Sequence, residues 1–142
     1  MRVLLDTNVL LDVLLAREPH ATASARVLAM AEQGTLAGFV SATSVTTIAY
    51  LAGKAVGERR ARRHLETLLS LLAVAPVDET VLRGALQSGF ADFEDAVIHE
   101  AAQGSGCQGI VTRDAQGFRR SRLPVYAPIE LLALVATQSA AE

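Results

Sequence analysis

A chain of 142 residues, 51 % apolar and 20 % charged, has the size of one domain spanning residues 1–142 and the balance of a globular core, with nothing that reads as a disordered tail or linker. At this length roughly 70 % of the unfolded surface can be removed from water. The formal net charge of −2 excludes a global basic field, so any contact with nucleic acid must come from local patches.

A single cysteine, Cys107, rules out an internal disulfide or a thiolate metal cage, and its place in GSGCQG suits an inert thiol in a reduced, cytoplasmic protein. The chain reaches Asp6 too early for the apolar region of a signal peptide. The longest uncharged stretch, residues 33–53, is broken by Gln33, Ser41, Thr43, Ser44, Thr46 and Thr47, and reads as a buried strand and helix with no membrane role. There is no internal repeat.

In chain order, residues 2–5 (RVLL) form an apolar strand closed by Asp6, and residues 7–16 a helix with Val9, Leu10, Val13 and Leu14 at helical spacing. Glu18-Pro19-His20 interrupts. Thr22 or Ser24 is expected to cap a second helix that ends near Gly34, and LAGFVS, 36–41, is the second strand. Residues 44–56 and 58–72 read as two helices hinged at Gly57, followed by a short strand in AVAPV, 73–77. Asp78 caps a helix to about Gln87. After the SGFAD loop another helix starts near Phe93 and stops at the glycines around 104–106. GIVT, 109–112, is a buried strand, PVYAP, 124–128, an edge strand because of its prolines, and IELLALVA a terminal helix. This alternation predicts an α/β fold with a central parallel sheet flanked by helices on both faces, with function at the carboxyl ends of the strands.

That rule gathers the acids. Asp6 ends the first strand and Asp114 follows GIVT-Arg, so both fall on one rim. In DFED, Asp92 caps the helix and Asp95 sits in its first turn, on the same helix face. Each residue alone also reads as a helix cap or turn former. Together, three carboxylates on one rim repel one another unless a cation lies between them, and an all-oxygen donor set suits Mg²⁺ or Mn²⁺. The histidines offer no zinc pattern: His20 and His64 lie in exposed positions, and His99, one turn beyond Asp95, reads as a structural helix-surface residue. Asp12 lies too far along the first helix for the rim and reads as a solvated or salt-bridged carboxylate. Arg113, Arg119 and Arg120 begin beside Asp114 and are candidates for substrate phosphate contacts, or for an acidic protein tail; Arg59-Arg60-Ala61-Arg62-Arg63 reads more simply as a solvated helix face.

At LLDTNVLLD, FEDAVIHEAA and IVTRDAQGF the chain resembles the PIN-domain family, which includes the VapC-like toxins of bacterial toxin–antitoxin pairs, and their order and spacing spread the likeness over essentially the whole chain. The resemblance implies a PIN-like fold and a Mg²⁺- or Mn²⁺-dependent endoribonuclease with Asp6, Asp95 and Asp114 as metal ligands. Asn8 matches the polar residue that steadies the first acid, and Asp92 or Glu94 orients the attacking water. It also implies an RNA substrate, a homodimer, and a small antitoxin partner.

Two departures stand out. The glutamate that such proteins carry after the second strand is matched here by Thr47, as in one branch of the family, and the acid before the late phenylalanine is Gly117. These motivate an alternative, a catalytically weakened PIN-fold module that acts by binding RNA or protein. A receiver domain needs a lysine after a late strand, and the chain's one lysine is Lys54. An aspartyl phosphatase needs a second acid two residues after Asp6, where Asn8 stands.

Overall fold

The computed structural model describes residues 1–141. Its elements run β1 (Arg2–Leu5), α1 (Thr7–Leu14), α2 (Ala21–Glu32), β2 (Ala37–Ser41), α3 (Ala42–Val56), α4 (Glu58–Leu71), β3 (Ala73–Ala75), α5 (Glu79–Gln87), α6 (Phe93–Gly104), β4 (Gly109–Val111), β5 (Val125–Tyr126) and α7 (Pro128–Ala141). The five strands form one sheet in the order β3-β2-β1-β4-β5, and every pairing is parallel.

The short apolar strands need cover on both faces because successive side chains point to opposite sides. Val3 and Leu5 of β1, Val40 of β2 and Val111 of β4 share one cluster with Val9 and Leu10 of α1, Val27 of α2, Leu68 of α4 and Leu131 of α7. The intervening residues Leu4, Phe39 and Ile110 face the opposite cluster, with Ile98 and Ala101 of α6 and with Phe118. Each fully buried Leu, Ile or Val contributes about 1.5–3 kcal/mol by leaving water. Gly57, at φ 90°, makes the sharp reversal between α3 and α4 that side chains with a Cβ resist.

β1 is central, and the chain winds outward from it to β2 and β3 on one side, then to β4 and β5 on the other. The order reverses between β1 and β4, which opens a crevice at their carboxyl ends. Asp6 N–H extends the ladder there by donating to Val111 O at 2.9 Å. Among the described residues no helix is long and apolar enough to cross a membrane. Cys107 is buried, and burial pushes its thiol up to about 11, so it stays protonated and inert at neutral pH.

Several local expectations change. The first helix stops at Leu14, where Ala16 takes φ 51° and the chain turns back so that Arg17 N–H donates to Asp12 O at 2.9 Å. Neither Thr22 nor Ser24 caps α2. The helix begins at Ala21 behind an uncapped His20, Thr22 Oγ1 donates to Glu18 Oε1 at 2.8 Å, and Ser24 is buried. His99 is no surface residue: it is buried, its Nε2 accepts from Arg122 N–H at 3.1 Å, and its ring packs 4.9 Å from that of Phe90. Of the two readings of Asp12, solvated or salt-bridged, the second holds. Asp12 is wholly buried in α1, and the guanidinium groups of Arg17 and Arg113 pair with it, Arg113 through both Nε and Nη2.

A buried carboxylate that loses a partner is costly to leave uncompensated. Because Arg113 is itself one-third exposed, the effect is discounted toward the lower end of the usual range. Arg113→Met is expected to lower stability by about 2 kcal/mol, and Arg17→Met, which removes one hydrogen bond, by about 1 kcal/mol; urea denaturation checks both.

Candidate active site at the carboxyl edge of the sheet

Asp6 leaves β1 in extended conformation (φ −68°, ψ 157°) and caps α1, with Oδ1 accepting from Thr7 N–H at 2.8 Å. Its Oδ2 accepts from Thr112 Oγ1 at 2.7 Å and from Asn8 Nδ2 at 3.3 Å. Three of the four lone-pair positions of a carboxylate are thereby taken, and one stays available. Thr112 is a junction: its Oγ1 also accepts from Asp114 N–H at 3.0 Å and from Asn8 Nδ2 at 3.4 Å. Asn8 Oδ1 in turn accepts from Arg113 N–H at 3.2 Å. The β1 and β4 ends are thus tied by side chains as well as by the ladder.

α6 delivers the second group. Asp92 caps it, accepting from Asp95 N–H at 2.9 Å, and Asp95 stands half-buried in the first turn. Glu94 extends toward α3, where its Oε1 accepts from Thr47 Oγ1 at 3.4 Å. The residue in place of the expected glutamate on α3 therefore faces this same rim and touches an acid supplied by α6. Thr7 Oγ1 donates to Ser44 Oγ at 2.8 Å on the same side.

Asp114 heads a turn in which its Oδ1 accepts from Gly117 N–H at 3.0 Å. Phe118, buried in the second cluster, anchors that turn against the sheet. A Cβ placed on Gly117 would lie 2.5 Å from Asp114 Oδ2 and 2.9 Å from Asp95 Oδ2. The carboxylates of α6 and of the β4 end thus converge on one point above the bare glycine. Beside it a cleft of about 300 Å³ is lined by Phe90, Asp92, Asp114, Gly117, Arg119 and Arg120. Arg119 and Arg120 are exposed there, whereas the guanidinium of Arg113 is taken up by Asp12.

The electrostatics are one-sided. Burial raises the Asp6 carboxyl above its ordinary value, against the pull of the Thr112 and Thr7 hydrogen bonds, and Glu94 and Asp114 raise it further. Asp95 is pushed from 3.8 up to about 7, by burial first and then by Asp6, Asp92, Asp114 and Glu94. Every charge that shifts Asp95 is negative. Such crowding suits a hard dication: the donors are all oxygen, and two converge on one point. Among the described residues no group of three His, Cys, Asp or Glu side chains is placed to hold a metal ion. The arrangement therefore fits an ion that keeps most of its water and takes one or two carboxylates directly, as Mg²⁺ does. Asp95 and Asp114, whose oxygens converge, could be those ligands.

The structure brings Asp6, Asn8, Asp92, Asp95 and Asp114 to one edge, with Arg119 and Arg120 beside it. Sequence reading missed Thr112, whose signal was a hydroxyl at the end of an otherwise apolar buried strand. It also missed the reach of Glu94 to Thr47.

An open parallel α/β sheet with an acid-lined crevice at its switch point defines a class in which chemistry sits at strand ends. Within it, a family model described as PIN domain matches residues 2–116, and the chain belongs to the PIN-domain family. No curated protein matches the sequence. Among solved structures the fold is similar to that of DNA-bound VapBC from Salmonella typhimurium, at 18 % identity and a TM-score of 0.69 over 90 % of this chain and 98 % of that one. It is also similar to a toxin–antitoxin complex from Klebsiella pneumoniae, at 22 % identity and a TM-score of 0.67, covering 89 % of this chain and 97 % of that one. VapC20 from Mycobacterium tuberculosis, a sarcin–ricin-loop-cleaving toxin, matches at 15 % identity and a TM-score of 0.62, over 76 % of this chain and 86 % of that one.

A carboxyl whose pKa is higher folded than unfolded binds more protons in the folded state between the two values, so stability falls as pH rises through that window. For Asp95 the window runs from about pH 4 to about pH 7. Metal-free protein is expected to lose thermal stability across it, and Asp95→Asn to flatten the loss and raise the melting midpoint at pH 7.5. Thermal denaturation in EDTA over that range is the check.

Proposed function

We propose that the chain is a Mg²⁺- or Mn²⁺-dependent endoribonuclease, acting as the toxin of a toxin–antitoxin pair. The observation that carries this reading is the convergence of the Asp95 and Asp114 carboxylates on one point beside Asp6. Family membership supports the chemistry. The toxin–antitoxin complex and the sarcin–ricin-loop-cleaving toxin among the structural relatives support RNA as substrate and a small antitoxin as partner. Self-association into a homodimer and a cytoplasmic location belong to the same reading.

Asp95 and Asp114 would hold the metal, and Asp6 would hold it through water or through its free lone pair. An ion held there would supply Lewis-acid polarisation of a phosphodiester and would acidify water. Thr112 and Asn8 keep the Asp6 carboxylate turned to the rim and, through the Asp114 amide, hold the second acid at a set distance from it. Asp92, which caps α6, and Glu94, which meets Thr47 of α3, are the exposed carboxylates near Asp95 that orient the attacking water and accept its proton. Arg119 and Arg120 line the cleft beyond Asp114 and take a neighbouring phosphate. Arg113, bound to Asp12, supports the strand end and leaves phosphate contact to those two.

Purified protein free of antitoxin is expected to cleave total cellular RNA at discrete sites with Mn²⁺, and to lose that cleavage in EDTA and in Asp95→Asn. Intact RNA from a folded sample tested on tRNA and rRNA would overturn the nuclease and favour a binding module. Thr112→Val, near-isosteric but without the hydroxyl, is expected to lower the cleavage rate by about 10–100-fold, as loss of a residue that orients a metal-binding carboxylate does. Arg119→Ala and Arg120→Ala are each expected to weaken RNA binding irrespective of sequence and to reduce its log–log salt slope by about 0.7. Fluorescence anisotropy over a salt series measures that slope.

A further inference from the structure

The cleft beside the acidic rim has two walls from separate parts of the chain, and one imidazole touches both. Phe90 and Asp92, between α5 and α6, belong to one wall; Asp114, Arg119 and Arg120, between β4 and β5, belong to the other. The second wall is bonded almost wholly to itself. Its amides at Gly117, Phe118, Arg119 and Ser121 donate within the segment, to Asp114 Oδ1, Ala115 O, Gln116 O and Phe118 O. Among the described residues, the one hydrogen bond that joins residues 115–123 to another element runs from Arg122 N–H to His99 Nε2 of α6, at 3.1 Å. The same ring lies 4.9 Å from that of Phe90, with the two planes tilted by 34°. His99 is buried, with one wall of the cleft packed on its face and the other bonded to its edge.

Stability alone does not account for this histidine. Because Nε2 accepts, the proton of the neutral ring sits on Nδ1. That atom is buried with no hydrogen-bond partner among the described residues, and Glu100 Oε2 stands 3.7 Å away, beyond hydrogen-bond range. Burial lowers the pKa of the ring, Glu100 raises it in part, and Arg122 lowers it again, which keeps the Nε2 lone pair open at neutral pH. A phenylalanine would preserve the contact with Phe90 without leaving a buried N–H unpaired, which is costly. Arg122 is exposed, and its amide could turn to water instead. What the histidine adds over an apolar ring is the acceptor.

We infer that His99 is a positioning residue for RNA, whose Nε2 latches the arginine-bearing segment to α6 so that Arg119 and Arg120 meet the RNA backbone from a preformed wall. The inference rests on the nuclease reading above and goes beyond it, because it assigns the shape of the substrate edge to a residue outside the acidic rim. His99→Phe is expected to leave the melting midpoint and kcat near those of the wild type and to raise KM for a cleaved RNA by about 3–10-fold, the scale of one lost hydrogen bond. His99→Gln, whose amide oxygen can accept where Nε2 does, is expected to recover most of that loss. When Arg119→Ala and Arg120→Ala are already present, His99→Phe is expected to add less than about twofold, since the side chains it positions are gone. An unchanged KM in His99→Phe, or the full rise persisting without the two arginines, overturns the inference. Amide exchange followed by NMR in the wild type tests the latch without any substitution and without RNA. Arg122 is expected to exchange more slowly than Arg120, and equal rates overturn the latch even if His99→Phe does not fold. A wild type that neither binds nor cleaves RNA sinks the nuclease reading and this inference with it, a result reached without touching position 99.

Discussion

Crowding of negative charge at the β1–β4 boundary is the constraint around which this molecule is built. Carboxylates from three separate stretches of chain face one crevice, where burial and the neighbouring negative charges raise the pKa of Asp6 and of Asp95. What keeps them there is a small set of neutral donors. The Thr112 hydroxyl, 2.7 Å from Asp6 Oδ2, and the amides of Thr7 and Gly117 hold Asp6 and Asp114 in fixed orientations. Neutral donors stabilise the ionised form without cancelling its charge, so the rim stays attractive to a cation from solution.

Behind the rim lies a second electrostatic assembly of opposite design. Asp12 is fully buried and fully paired, with two guanidinium groups closing on its carboxylate. Arg113 joins the two assemblies, because its backbone amide donates to Asn8 Oδ1 while its side chain grips Asp12. One residue therefore ties the end of β4 to the middle of α1. This gives the acids of the first helix distinct tasks: Asp6 at its cap serves the rim, and Asp12 one and a half turns later holds the scaffold that positions it.

The turn after β4 works in the same way on the outer side. Phe118 is buried against Phe90 at 5.9 Å between ring centroids, and this apolar anchor fixes a stretch that otherwise carries Asp114, Gly117, Arg119 and Arg120 in solvent. One acid and two arginines thus share a short segment, with Asp114 turned to the crevice and Arg119 and Arg120 lining the cleft beside it. A polyanion reaching the rim meets positive charge at that edge, which offsets the repulsion that acids alone would exert.

The strand–helix alternation, the parallel sheet and the gathering of Asp6, Asp95 and Asp114 at one edge were legible from sequence, because hydrophobic periodicity sets the elements and parallel connectivity places strand ends together. Helix ends were read less well: nothing local marks the uncapped start of α2 at Ala21, and the turn at Ala16 is held by Arg17 folding back onto Asp12. The roles of single residues depended on distances between segments remote in the chain. Asp12 and Arg113 lie 101 residues apart, Thr112 and Asp6 106, and Thr47 and Glu94 47. Local pattern carries no information about such pairings, so Asp12 read equally as solvated or salt-bridged, and His99 looked exposed. Sequence by itself determined which elements form and which edge collects the charge. Only the tertiary structure decided which charges are paired and which are left open, because those depend on what the fold packs against each residue.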